Sequence, residues 1–245
     1  MIKQRLRLIS AFVFFTSLSV GAQQSDPAVK FEFFWKELRP QKYTITIHQS
    51  GQAEYVSEDH ALSPPQEQNA PVESNAEQAS QLNDAASKDI MHKQFKATDT
   101  LRQKVFALAE QTHFFDGQFE FTKHVVAHTG QKTLSYADAN RHTSTTYNYS
   151  EDLGIQELTD IFQGISATFE AAERLEYDRR FDRLSLDHDL KSLEDLSNSG
   201  RLQEVQVIAP LLRRLATDRT VLHIAQLRAE RILRKAGLQP VPPGP

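Results

Sequence analysis

The hydrophobic period of the chain changes once, at Gly154, and that change limits the folds open to it. Before Gly154, aromatic and β-branched residues alternate with polar ones over short runs; beyond it, apolar residues recur every three or four positions as far as residue 237. The first spacing places side chains on one face of a strand, the second on one face of a helix. Strands grouped first and helices grouped after specify an α+β protein. The expectation is a mostly antiparallel sheet with one packed helix over residues 28–150, followed by a C-terminal bundle of about four helices over residues 154–237.

Phe31-Glu32-Phe33-Phe34-Trp35 and Tyr43 to His48 are separated by a turn near Pro40, and both have strand composition. Ser50-Gly51 then turns the chain, so residues 43–57 form a β-hairpin with Tyr43, Ile45 and Ile47 on its buried face. The aromatic run at Phe31, Phe33, Phe34 and Trp35 puts rings on both faces of its strand. That suits a carbohydrate or lipid platform, but fits better a strand covered on both sides. Thr98 or Asp99 caps a helix carrying Leu101, Val105, Leu108 and Thr112. Further strands are expected at Phe119–His128, Lys132–Tyr136 and Thr143–Tyr149, the last half exposed. Ile155, Leu158, Phe162, Ile165, Phe169 and Ala172 form the seam of a long helix that runs on through Tyr177, Phe181 and Leu184. Shorter helices follow at Leu186–Ser197, at Leu202–Ala216 with a kink at Pro210, and at Thr220–Ala236. The proline-rich tail, residues 238–245, is expected to be disordered.

The run Tyr43-Thr44-Ile45-Thr46-Ile47-His48-Gln49-Ser50-Gly51-Gln52-Ala53-Glu54-Tyr55, the helix with Leu101, Val105, Phe106, Leu108 and Ala109, and the element Phe114-Phe115-Asp116 resemble a hairpin-plus-helix domain of unknown function found in exported bacterial proteins. The resemblance covers residues 43–116, about a third of the chain. It implies fold and export, and it assigns no catalytic position.

Residues 1–22 combine Lys3, Arg5 and Arg7, an apolar run from Leu8 to Leu18, and the small exit Val20-Gly21-Ala22. This is the pattern of a cleaved signal peptide, and its apolar run falls well short of the roughly 20 residues a spanning helix needs. Retention as an anchor is the alternative. No other long apolar stretch occurs, so no integral membrane span is expected after the leader. Residues 60–94 collapse into Ser, Ala, Gln, Asn, Glu and Pro, and between Glu58 and Lys93 there are seven acidic and two basic residues. Such a segment is expected to be a disordered acidic insertion.

The chain has 28 basic and 32 acidic residues; without the three basic residues of the leader its net charge is −7, a sign that disfavours nucleic acid as a partner. It contains no cysteine, which excludes disulfides, a thiolate nucleophile and Cys-ligated metal centres. No phosphate loop, Gly-x-Ser-x-Gly elbow or His-Glu-x-x-His occurs, and no cofactor is expected. His124 and His128 would share a helical face, but on a strand they stand roughly 13 Å apart, too far for one ion. Asp187-His188-Asp189 fits a helix start. Glu170, Glu173, Glu176, Asp178 and Asp182 suggest an acid–base pair, but Arg174 and Arg180 lie four residues after Glu170 and Glu176, the order of exposed intrahelical ion pairs. Between Pro210 and Gly237, seven basic residues face two acidic ones. Arg228, Arg231 and Arg234 are the candidate binding residues of that patch, for anionic lipid, peptidoglycan or an acidic protein surface. The functional expectation is an exported, non-enzymatic envelope protein that binds another macromolecule, in the periplasm or outside the cell. A periplasmic hydrolase or cell-wall-acting enzyme using carboxylates is the alternative.

Overall fold

The computed structural model describes residues 26–58 and 90–240. Six strands form one antiparallel sheet: β1 (Ala28–Phe34), β2 (Lys42–His48), β3 (Gln52–Glu58), β4 (Ile90–Lys96), β5 (Gln131–Ala137) and β6 (His142–Tyr147), in the order β4-β3-β2-β1-β5-β6. Among the described residues five α-helices accompany it: α1 (Asp99–Gln111), α2 (Leu153–Phe181), α3 (Arg183–Asn198), α4 (Ala209–Thr217) and α5 (His223–Lys235). The fold is therefore α+β with a C-terminal helical region, as the change of period requires. The leader and most of the acidic insertion lie outside the described residues.

Strand alternation produces one buried sheet face. Phe31 pairs with Ile45 and Leu134 on either side, and Val29, Phe33, Tyr43, Ile47 and Tyr55 fall on the same face. The hairpin turns at Gly51, whose φ of +90° lies in the region that glycine tolerates best. Against this face pack Leu101, Val105, Leu108 and Ala109 of α1 and Ile155, Leu158, Phe162 and Ile165 of α2. Thr98 caps α1 by accepting a hydrogen bond from Leu101 N, and Asp152 caps α2 by accepting one from Ile155 N. A second cluster joins Ala171 and Leu175 of α2 to Leu186, Leu190 and Leu193 of α3, Leu212 and Leu215 of α4, and Ala229, Ile232 and Leu233 of α5. The long helix is thus the joint, with its N-terminal half on the sheet and its C-terminal half in the bundle.

Several expectations are corrected. The low-complexity segment does not extend to residue 94, because Ile90–Lys96 forms β4 on β3. Phe119–His128 is not a strand: it does not pair with the free edge of β6, and its one backbone bond to that region runs from Phe121 N to Tyr149 O, past the end of β6. Its Val125 is fully in solvent. The aromatic strand is covered on one side only; Phe31 and Phe33 are buried, whereas Phe34 is exposed on the polar outer face. Pro210 does not kink a helix but sits in the first turn of α4, where its missing N–H costs nothing. The tail does not fray at 238, since Leu238 packs on the bundle and the Gln239 carbonyl accepts from Arg213 Nε. Finally, the buried stripe of α2 rotates after Phe169 onto Ala171, Leu175 and Asp178. Tyr177, Phe181 and Leu184 are left exposed instead of continuing the seam.

Candidate functional site

The carboxylates of α2 do not form the solvated face that their spacing suggests. Glu170 is buried between helix and sheet, where Tyr55 Oη donates to its Oε1 at 2.5 Å and Ser57 Oγ donates at 3.0 Å. Burial, then the neighbouring charge of Glu170, pushes the Tyr55 phenol far above its ordinary range, so this hydroxyl is a permanent donor. Arg174 turns away from Glu170 and lies 3.5 Å from Asp189 of α3. Glu176 takes Arg179 at 3.3 Å and also Arg214 of α4, leaving Arg180 exposed.

Asp178 is buried where α2 meets α3, and its Oδ2 has no hydrogen-bond partner. Burial, followed by the charge and hydrogen bond of Asp189 and the charge of Asp182, raises this carboxyl to about 6 against the opposing pull of Arg174. The folded state therefore keeps a proton that the unfolded chain, with its ordinary value of 3.8, releases earlier. Stability from this group is complete below about pH 4, is lost as pH rises to about 6, and is level above that. Asp178→Asn should abolish that loss. The stability difference between variant and wild type, from urea denaturation, should grow in the variant's favour between pH 4.5 and pH 7.5. A pH-independent difference would refute the assignment.

Arg228, Arg231 and Arg234 do not form a free cationic patch. Arg228 Nε lies 2.9 Å from Asp187 and its Nη1 2.9 Å from Glu194, while Arg231 makes a forked contact with the same Glu194. Arg234 is 3.7 Å from Glu230, one turn back on its own helix. Hydrogen bonds from Arg231 and Arg228 hold the Glu194 carboxyl below its usual range. The first two arginines thus clamp α5 onto α3. Glu194→Ala should cost about 2–3 kcal/mol, because two partly buried guanidinium groups lose their shared acceptor. A change below about 0.5 kcal/mol on chemical denaturation would show that solvent supplies the same hydrogen bonds.

His124 and His128 serve different neighbours: the first sets its ring edge against Phe121 at 4.6 Å, the second lies 6.4 Å from Trp35. Among the described residues no group of three His, Asp or Glu side chains is placed to hold a metal ion. Two contacts were invisible in the sequence. Buried Glu204 accepts from Thr98 N at 3.0 Å and from Thr98 Oγ1 at 2.7 Å, tying the start of α1 to the loop before α4. Buried Lys132 donates to the carbonyls of Asn148, Gly130 and Thr129 at 2.7, 3.0 and 3.2 Å, and burial lowers its pKa. Thr129 Oγ1, at 3.1 Å, is a fourth acceptor for its three hydrogens. Lys132 lines an opening of about 320 Å³ with Tyr149, Gln156 and Asp160, but its protons are all engaged.

A larger cleft, about 510 Å³, opens between the C-terminal half of α2, β4 and the start of α4. Among its lining residues Lys93 pairs with Glu173 at 2.6 Å, and Arg214 pairs with Glu176. Tyr177 and Phe181, in tilted contact at 5.0 Å, form its outer lip. Phe181 is 71% exposed, and Leu184, just beyond the turn into α3, is 83% exposed. The acids of this cleft are committed to cations, and neither Glu170 nor Asp178 lines it. The arrangement offers an apolar step and charged rims to a partner. In comparisons with known proteins, no family model matches the chain and no curated protein matches it significantly.

Proposed function

We propose that this chain is an exported bacterial envelope protein that works by binding, with the cleft and the adjoining tip of α2 and α3 as its contact face. The observation that carries this is the exposure of Tyr177, Phe181 and Leu184 on one tip beside the 510 Å³ cleft. Large apolar side chains grouped in solvent mark a contact surface, whereas single exposed ones are ordinary. The ion pairs of Glu173 and Glu176 support the same reading, because each carboxylate already has a cationic neighbour. The export half rests on the leader pattern of residues 1–22 and on the resemblance of residues 43–116 to a domain of exported bacterial proteins. Among the described residues no helix is long and apolar enough to cross a membrane.

A photo-cross-linking residue at position 177, in cells carrying the full chain, tests this. The expected result is one dominant adduct, lipid or protein, that a probe at fully exposed position 125 does not give. Equal labelling from both positions, or none from 177, would overturn the reading. The meeting of the Asp178 and Asp189 carboxyls where α2 packs on α3 is the observation behind a second reading, a carboxylate-dependent hydrolase. Degradation of an envelope polymer by the purified protein, lost in Asp178→Asn, would establish that instead.

A further inference from the structure

Resting on that contact face, we infer that the α2–α3 tip docks on an anionic lipid surface. α2 ends at Phe181, Asp182 alone forms the joint, and α3 begins at Arg183. The two helices fold back on each other, with Leu175 packed among Leu186 and Leu190 and Arg174 reaching Asp189. The joint is therefore the end of a helical hairpin, and Phe181 and Leu184 project from it on either side of the turn, 71% and 83% exposed. A rigid protein partner would need a matching hollow for these side chains. A bilayer closes around them without one.

Charge points the same way. Arg180 precedes Phe181 and Arg183 precedes Leu184, and both are exposed; Arg183 feels the charge of Asp218. Arg179 and Arg214 share the carboxylate of Glu176, and Asp218 lies within electrostatic reach of Arg179 and Arg183, so the four arginines about the tip outnumber the nearby carboxylates of Glu176, Asp182 and Asp218. Asp182 is exposed between Phe181 and Arg183, but its carboxylate is engaged on the cap of α3, where it accepts from Leu184 N and from Ser185 N and Oγ. The helix dipole accounts for arginines in the last turn of α2, but not for a phenylalanine and a leucine beside them. Apolar side chains inside a cationic collar, with a tyrosine at the base, are the composition of an interfacial anchor. The remainder of the chain is acidic, so an anionic surface would repel it and orient the molecule tip first.

The test is co-sedimentation of the full chain with vesicles of phosphatidylglycerol and phosphatidylcholine, and with phosphatidylcholine alone. Binding is expected to the anionic vesicles and to weaken with salt. Phe181→Ser with Leu184→Ser should lower the partition coefficient at least tenfold, about 1.4 kcal/mol. Because both positions are exposed, the thermal transition should hardly move. Arg180→Glu with Arg183→Glu should give a similar loss at low salt, and Leu153→Ser, at another exposed leucine, should give none. No binding to anionic vesicles, or binding that the tip variants leave intact, overturns the inference. If position 177 then still cross-links to one protein, the contact face stands and its partner is proteinaceous; if it labels nothing, both fall.

Discussion

Phe162→Ala should destabilise the protein by about 3–5 kcal/mol, whereas Phe181→Ala, on the same helix, should change stability by less than about 0.5 kcal/mol. Phe162 is fully buried and stacks on Phe31 with ring centroids 5.1 Å apart and planes 2° from parallel. Phe31 is itself held between Ile45 and Leu134 in the middle of the sheet, so the hole left by truncation cannot close by collapse of a loose strand. The lost transfer energy and the residual cavity then add. Phe162→Leu, which refills most of the volume, should recover more than half of the loss. The measurement is urea denaturation of the three variants, with midpoints compared at constant slope. A loss below 1 kcal/mol for Phe162→Ala would mean that α2 is not seated on the sheet as described. That seat matters for function, since the same helix carries the exposed tip at its other end.

Residues that pack by local periodicity were legible in the sequence. The alternation of Tyr43, Ile45 and Ile47, the stripe of α1 and the seam from Ile155 to Phe169 each report one face without knowledge of what covers it. β4 escaped because only Met91 and Phe95 turn inward among polar neighbours, and pairing with β3 supplies what its composition lacks. Phe119–His128 failed for the opposite reason: its composition suits a strand, but it leaves the free edge of β6 unpaired and makes one backbone bond just past it, from Phe121 N to Tyr149 O. The candidate site was less legible still. Arg228 and Arg231 looked unpaired because their acceptors, Asp187 and Glu194, lie on another helix, beyond any search of neighbouring turns. The exposed tip was hidden by the rotation of the α2 stripe, which depends on where α3 folds back. Glu170 had a usable signal: it follows Phe162 and Ser166 at intervals of four, on the line that faces the sheet, and its polar partners Tyr55 and Ser57 alternate on one strand face.

That buried carboxylate sets the second large effect. Among the described residues Glu170 has no cation within ion-pair distance, since Lys93 is taken by Glu173, so its charge rests on the hydroxyls of Tyr55 and Ser57. Tyr55→Phe removes the closer donor without changing the ring that stacks on Phe169 at 5.0 Å. The expected cost is about 2–3 kcal/mol, the range for losing a hydrogen bond to a charged group that stays buried. Glu170→Gln should cost less, because a neutral amide keeps the shape and an acceptor oxygen while shedding the burden of a desolvated charge. In the double variant the Tyr55→Phe loss should shrink by about 1–2 kcal/mol, the coupling expected of two groups that act as one network. Additive losses, by denaturation of the four proteins of the cycle, would show that water already reaches Glu170. In that event the polar contact between sheet and α2 is no seal, and a carboxylate open to solvent beside Tyr55 would strengthen the hydrolase reading over the binding one.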